Sequence, residues 1–159
     1  MKINLLIPVF NDWESCSQLI SDIEKEISKK EKINAQYFII NDCSTDESPN
    51  FPTNVNVITL NRNIGHQRAI AIGLCYINDH APSDYVIVMD GDGEDKASDI
   101  AALLTKAVSE KDKIILDPTK KCNNGNSNYS CSPVVGPAGT KLGGFPSGSC
   151  GAATCKNLD

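Results

Sequence analysis

The segment spanning residues 84–95 constrains the fold of this chain more than any other. An apolar run, residues 85–89, leads directly into Asp90 and Asp92, and two further acidic residues follow. A short, uninterrupted apolar run bounded by polar residues is typical of a strand buried on both faces of a sheet. In open α/β sheets, ligands bind at the carboxyl ends of such strands. Since carboxylate oxygens suit hard divalent cations, the segment predicts a metal and phosphate site at a sheet edge.

Strands and helices alternate along the first three quarters of the chain. Apolar runs predict strands at residues 3–9, 37–40, 55–60, 85–89 and 113–116. Apolar residues at spacings of three and four predict helices at about 65–77 and 97–108, and a first helix that Asn11 and Glu14 begin as a capping box. This alternation predicts an α/β fold with a mostly parallel sheet and helices on both faces.

Composition sets the broad class of protein. The 159 residues fit one soluble domain, and a net charge of −5 without a basic stripe excludes nucleic acid as a general partner. No apolar run reaches the ~18 residues of a membrane span, and the short apolar start is no signal peptide. We therefore expect a cytoplasmic protein without a membrane span in this chain.

The composition changes near residue 116. Residues 1–116 carry the periodic pattern, whereas residues 117–159 are rich in Gly, Pro and Cys and show no helical or strand period. We expect an irregular tail behind a truncated domain, and the abrupt change suggests an interrupted reading frame. The odd count of 7 cysteines lacks paired CxxC spacing, so free thiols are expected at Cys16, Cys43 and Cys75.

Polar clusters follow four of the predicted strands, at residues 8–12, 41–46, 61–68 and 90–95. Carboxyl ends of parallel strands share one edge of a sheet, so these clusters are expected to face a single crevice. The third cluster also opens a helix, where backbone amides and Arg68 are expected to hold an anion and His66 to make a helix-start hydrogen bond.

Together these clusters resemble those of the family 2 glycosyltransferases, whose nucleotide-sugar-binding domain has the GT-A fold. The resemblance covers about residues 3–116 and rests on the motifs Leu-Ile-Pro-Val-Phe-Asn-Asp, Ile-Ile-Asn-Asp-Cys-Ser-Thr-Asp, Asn-Arg-Asn-Ile-Gly-His-Gln-Arg-Ala and Val-Met-Asp-Gly-Asp-Gly-Glu-Asp, in that order. The last two are most similar to polyprenyl-phosphate sugar transferases related to dolichol-phosphate mannose synthase. The resemblance implies transfer of a sugar from a UDP- or GDP-linked donor to a polyprenyl phosphate or saccharide acceptor, at the inner face of the membrane.

The resemblance also implies roles for individual residues. Asp90 and Asp92 would be the DxD pair that binds ribose and the Mg²⁺ or Mn²⁺ bridging the diphosphate, and Glu94 would join the metal. Asp42 would contact the base. The expected nucleotide-binding residues are Pro8, Phe10, Asp12, Asp42, Gly65, Arg68, Asp90 and Asp92. No general base is predicted.

Some positions depart from the common family pattern. Asp12 stands where many relatives have glutamate, Asn41 replaces a commoner aspartate, and Cys43 replaces a commoner glycine. The turn after the second strand is therefore expected to differ slightly.

Other interpretations of the acidic motif remain. It also resembles the first motif of haloacid-dehalogenase-type phosphatases, in which an aspartate nucleophile follows a strand. That family places the motif at the start of its core and needs a later acidic pair, and neither holds here. An EF-hand loop fails because Asp95 stands where glycine is required and Ala101 where glutamate chelates the ion. An inactive nucleotide-binding remnant is the third alternative, since no acceptor half is predicted beyond residue 116.

Overall fold

The computed structural model describes residues 1–30, 32–110, 115–116 and 134–137. In chain order the elements are β1 (Lys2–Val9), α1 (Trp13–Ser28), β2 (Asn34–Asn41), β3 (Val55–Thr59), α2 (His66–His80), β4 (Tyr85–Val88), a 3₁₀ turn (Ala97–Asp99), α3 (Ile100–Ser109), β5 (Ile115–Leu116) and β6 (Val134–Pro137). The predicted strands and helices therefore occur in the predicted order, with β2 followed directly by β3, except that a 3₁₀ turn replaces the expected first turn of the third helix.

The strands form one sheet with the order β3-β2-β1-β4-β6-β5 in the described part of the chain. The four strands from β3 to β4 are parallel, and β6 runs antiparallel to both of its neighbours. The expected mostly parallel sheet is confirmed. The chain moves outward from β1 to β3 and then returns to β4 on the other side of β1. This reversal of strand order creates a switch point between β1 and β4, where α/β sheets bind ligands.

β1 is the buried centre of the sheet, and its side chains alternate between two apolar layers. Ile3, Leu5 and Ile7 pack with α1 and α3 on one face, whereas Leu6 packs with α2 on the other. Helices on both faces are therefore confirmed. This double cover explains why β1 is almost continuously apolar rather than alternating.

Helix α2 approaches the sheet closely at Gly73. A Cβ added there would lie 2.7 Å from Ile40 Cγ1 and closer still to Leu6 Cδ1. Both neighbours are fully buried. The missing side chain therefore sets the separation of α2 from β1 and β2.

Strand β6 departs from the sequence prediction. Residues 117–159 were expected to contain no strand, but Val134–Pro137 pairs with both β4 and β5. A four-residue segment is too short to show a period, and its pairing with β4 is a tertiary effect. Residues 113–114, 117–133 and 138–159, including the four cysteines of the tail, lie outside the described residues. A domain boundary near residue 116 therefore stays a prediction.

No helix in the described ranges has the length and apolarity needed to cross a membrane.

Cys16 is a buried thiol of α1, and burial together with the nearby charge of Asp12 raises its pKa to about 12. A thiol held in its neutral form is a poor nucleophile, so Cys16 serves the core.

Candidate functional site

The acidic motif forms a tight turn at the carboxyl end of β4. Asp90 and Asp95 are both buried, and the backbone N–H of Asp90 donates to Asp95 Oδ2 at 2.7 Å. Asp92 is exposed, and its Oδ1 accepts a hydrogen bond from the backbone N–H of Glu94 at 3.0 Å. Asp95 therefore shapes the turn from inside, whereas Asp92 and Glu94 face solvent.

Gly91 allows this turn to lie directly against β1. A Cβ at Gly91 would lie 3.2 Å from both the backbone oxygen of Pro8 and Ile7 Cγ2. This is tighter than ordinary van der Waals contact, and one partner is backbone that cannot rotate away. The glycine between the two aspartates therefore brings the carboxyl ends of β1 and β4 together.

His66, the first residue of α2, contacts this motif. Its Nε2 lies 3.0 Å from Asp90 Oδ1, and the Asp90 side chain is only 8% exposed whereas that of His66 is 47% exposed. The hydrogen bond to Asp90 raises the pKa of His66, with smaller contributions in the same direction from the charges of Asp92 and Asp42, and partial burial opposes the rise. The expected helix-start position of His66 is confirmed, but its partner lies on a different element. No motif or spacing in the sequence predicts this contact.

Asp42, at the end of β2, holds the loop that precedes α2. Its two carboxylate oxygens accept hydrogen bonds from the backbone N–H groups of Ile64 and Gly65, each at 2.8 Å. Gly65 has φ +90° and ψ 149°, a conformation that residues with a Cβ rarely adopt, although a Cβ there would meet no atom within 4 Å. Gly65 is therefore needed for its backbone conformation, and Asp42 fixes where α2 begins.

Asn11 ties the loop after β1 to the loop after β2. Its backbone has φ 58°, and its side-chain Oδ1 accepts hydrogen bonds from the backbone N–H of Thr45 at 2.8 Å and from Thr45 Oγ1 at 3.2 Å. Asp12 is the N-cap residue of α1 and makes no side-chain capping bond. The predicted capping box of Asn11 and Glu14 is therefore wrong, because the Asn11 side chain is used between loops.

The turn after β2 contains a second residue in the left-handed region. Cys43 has φ 63°, and the backbone N–H of Ser44 donates to Asn41 Oδ1 at 2.8 Å. The cysteine thus adopts a conformation that favours glycine, the residue that the family pattern has at this position. Cysteine in place of the commoner glycine is therefore accommodated at position 43 with a strained backbone.

The remaining predicted nucleotide-binding residues lie around this edge in different environments. Pro8 is buried within β1, opposite Ile40 of β2. Phe10 is 49% exposed although it is large and apolar, and Asp12 and Arg68 are also exposed. An exposed aromatic ring at this edge of the sheet offers a face on which a base can stack.

The acidic residues do not form a closed metal cage. Within the described ranges, no three His, Cys, Asp or Glu side chains are grouped so that they could hold a metal ion. Asp90 and Asp92 still provide hard carboxylate oxygens at the same strand end. Such a pair fits a cation that completes its coordination with ligand phosphates and water, the usual arrangement for Mg²⁺ at phosphate sites.

Similarity to known proteins is found along most of the chain. A family model described as "Glycosyl transferase family 2" matches residues 5–134. The undecaprenyl-phosphate 4-deoxy-4-formamido-L-arabinose transferase of Proteus mirabilis (strain HI4320) is 29% identical, over 94% of this chain and 47% of its own length. The protein of the same name from Sodalis glossinidius (strain morsitans) is 27% identical, over 71% of this chain and 36% of its own. This chain therefore spans less than half the length of these curated relatives.

Solved structures share the fold. The mannosyltransferase PcManGT from Pyrobaculum calidifontis, in complex with GDP-Man and Mn²⁺, is 16% identical with a TM-score of 0.59, covering 91% of this chain and 47% of that one. S. aureus TarS 1-349 in complex with UDP-GlcNAc is 20% identical with a TM-score of 0.50, covering 79% and 36%. The predicted GT-A-like fold and the resemblance to polyprenyl-phosphate sugar transferases are thereby confirmed. Because the family match includes all four polar clusters at the sheet edge, the chain belongs to glycosyl transferase family 2.

Proposed function

We propose that this chain is the donor-binding part of a glycosyltransferase that binds a UDP- or GDP-linked sugar together with a divalent cation. The proposed sugar acceptor is a polyprenyl phosphate, as in the names of the curated relatives, and the proposed place of reaction is the cytoplasmic face of the membrane. The two nucleotide classes follow from the ligands of the structural neighbours, GDP-Man and UDP-GlcNAc. The phosphatase alternative is not favoured, because the matching family is a transferase family.

The observation that carries this proposal is the hydrogen-bonded edge of the parallel sheet. Asn11 joins the loops after β1 and β2, Asp42 joins β2 to the start of α2, and His66 joins α2 to Asp90. Polar groups from separate elements thus surround the switch point between β1 and β4. A preorganised polar sheet edge of this kind suits a ligand with a flat base, a ribose and a charged diphosphate.

The proposed cation would be held by Asp90 and Asp92, with Glu94 as a further proposed ligand. Because the described residues do not group three such side chains around one point, nucleotide phosphates and water would supply the other ligands. When bound, such a cation, Mg²⁺ or Mn²⁺, stabilises the negative charge that develops on a nucleoside diphosphate as it leaves the sugar. The residues of this chain orient the donor, and Phe10 is the proposed stacking surface for the base.

Calorimetry with UDP and GDP, each with and without Mn²⁺, tests the proposal. We expect the full chain to bind one of the two nucleotides and to require Mn²⁺ for full affinity. Asp92→Ala should weaken this binding at least tenfold, whereas Asp79→Ala, a matched change of an exposed aspartate in α2, should leave it unchanged. Circular dichroism of each variant verifies that the fold is retained.

Three results would contradict the proposal. Binding of neither nucleotide would favour an inactive remnant. Nucleotide binding that is independent of Mn²⁺ would show that the cation takes no part in the site. Hydrolysis of small phosphoesters that Asp90→Asn abolishes would favour the phosphatase alternative.

A further inference from the structure

We propose that His66 is a positioning residue, which fixes the Asp90 carboxylate through Nε2 and is itself fixed by Asp42 through the loop before α2. The part of this inference that concerns metal affinity rests on the proposed function. The contact between His66 and Asp90 is independent of it and has its own test.

The contacts form a continuous path across the sheet. Asp42 at the end of β2 accepts from the backbone N–H of Gly65 at 2.8 Å, and Gly65 is followed directly by His66. His66 Nε2 lies 3.0 Å from Asp90 Oδ1 at the end of β4. Because β1 lies between β2 and β4, this path crosses the carboxyl end of the central strand.

Burial makes the imidazole contact important for Asp90. A buried carboxylate needs hydrogen-bond donors, and its orientation is set by where those donors lie. His66 places a ring nitrogen 3.0 Å from Asp90 Oδ1 from the first turn of a helix, and the Asp42 bonds keep that turn in place. A group carried by a regular element holds its partner more accurately than one on an unsupported loop.

Measuring Mn²⁺ affinity distinguishes a positioning role of His66 from a merely structural one. Removing a group that orients a metal ligand typically weakens metal binding by about 10–100-fold. We expect His66→Ala to weaken Mn²⁺ binding in the presence of UDP or GDP by about tenfold. His66→Gln, whose amide N–H can replace Nε2, should restore most of the affinity. His80→Ala, which changes the other histidine of α2 at its opposite end, should have no effect.

Pulsed EPR of bound Mn²⁺ distinguishes a positioning residue from a ligand. We expect no directly coordinated histidine nitrogen in the wild-type spectrum. A nitrogen coupling that His66→Ala removes would make His66 a ligand and overturn the proposal. Unchanged Mn²⁺ affinity in His66→Ala would overturn it as well.

Nitrogen-15 spectra of the histidine rings test the contact without metal or nucleotide. The chain has 2 histidines, so His80→Ala assigns both ring systems. We expect a protonated, hydrogen-bonded Nε2 in His66 and a change of its shift in Asp90→Asn. An unchanged His66 ring would overturn the positioning role even if nucleotides bind. A changed ring in a protein that binds neither nucleotide would contradict only the proposed function.

Discussion

Replacing Asp42 with asparagine tests whether this carboxylate holds the start of α2. Asparagine has the same shape, but it keeps one acceptor oxygen and presents an NH₂ donor to the second of the two amides. A hydrogen bond to a charged group contributes about 1.5–3 kcal/mol, and a neutral one about 0.5–1.5 kcal/mol. Since Gly65 is exposed, water can solvate its amide and limit the loss. We therefore expect the free energy of unfolding to fall by about 2–3 kcal/mol, which lowers Tm by roughly 5–10 °C in a domain of this size.

Urea unfolding followed by far-UV circular dichroism measures this change by linear extrapolation to water. Asp46→Asn is the matched control, because it makes the same change at an exposed carboxylate of the same cluster. The control should stay within about 0.5 kcal/mol of wild type. If Asp42→Asn also stays within about 0.5 kcal/mol, the two amides are not held by this carboxylate and the reasoning fails.

Nucleotide binding by Asp42→Asn distinguishes two roles of Asp42, holding the loop before α2 and contacting the nucleotide base. A residue that holds the loop affects UDP and GDP affinity equally, since it moves α2 and His66 rather than the base. A direct contact with the base, as the family resemblance implies, changes the ratio of the two affinities. Calorimetry of Asp42→Asn with both nucleotides therefore decides between the two roles.

Two further predictions concern the substitutions Gly73→Ala and Cys43→Gly and use the same unfolding assay. In Gly73→Ala, helix propensity favours alanine by about 1 kcal/mol, but overpacking against Leu6 and Ile40 costs about 1–3 kcal/mol. Because both neighbours are fully buried, their side chains can shift only by disturbing the core, and we expect a net loss of about 1 kcal/mol in the free energy of unfolding. In Cys43→Gly, relief of the left-handed backbone is worth about 1–2 kcal/mol, and the added flexibility of the unfolded chain costs about 0.5–1 kcal/mol. We expect a net gain of about 0.5–1 kcal/mol.

Paired variants check the cause of each effect. Combining Gly73→Ala with Leu6→Ala removes the closer of the two obstructing side chains, so the two changes should couple by at least about 0.5 kcal/mol. Strict additivity would contradict a steric cause. Cys43→Ala removes the thiol but keeps the Cβ, so it should not share the gain of Cys43→Gly. Equal stability of the two variants would show that backbone strain is not responsible.

Periodicity predicted most of the sheet and the helices because it is a local property. The buried β1 and the stripe of α1 are visible in sequence, since burial on two faces or on one face leaves different spacings of apolar residues. Strand β6 was not predicted, because periodicity reports only local burial. Its place in the sheet depends on pairing with β4, and nothing within its four residues records that partner.

The sequence by itself determined which strands end in polar clusters, and therefore that Asp42, Asp90 and Asp92 belong to one edge of the sheet. The tertiary structure decided which of these groups meet. Asn11 and Thr45 are 34 residues apart, and Asp42 and Gly65 are 23 apart, yet each pair is hydrogen-bonded. Such contacts leave no periodic signal, because they arise only when strand order brings distant loops side by side. The close approach of His66 Nε2 to Asp90 Oδ1 has the same origin.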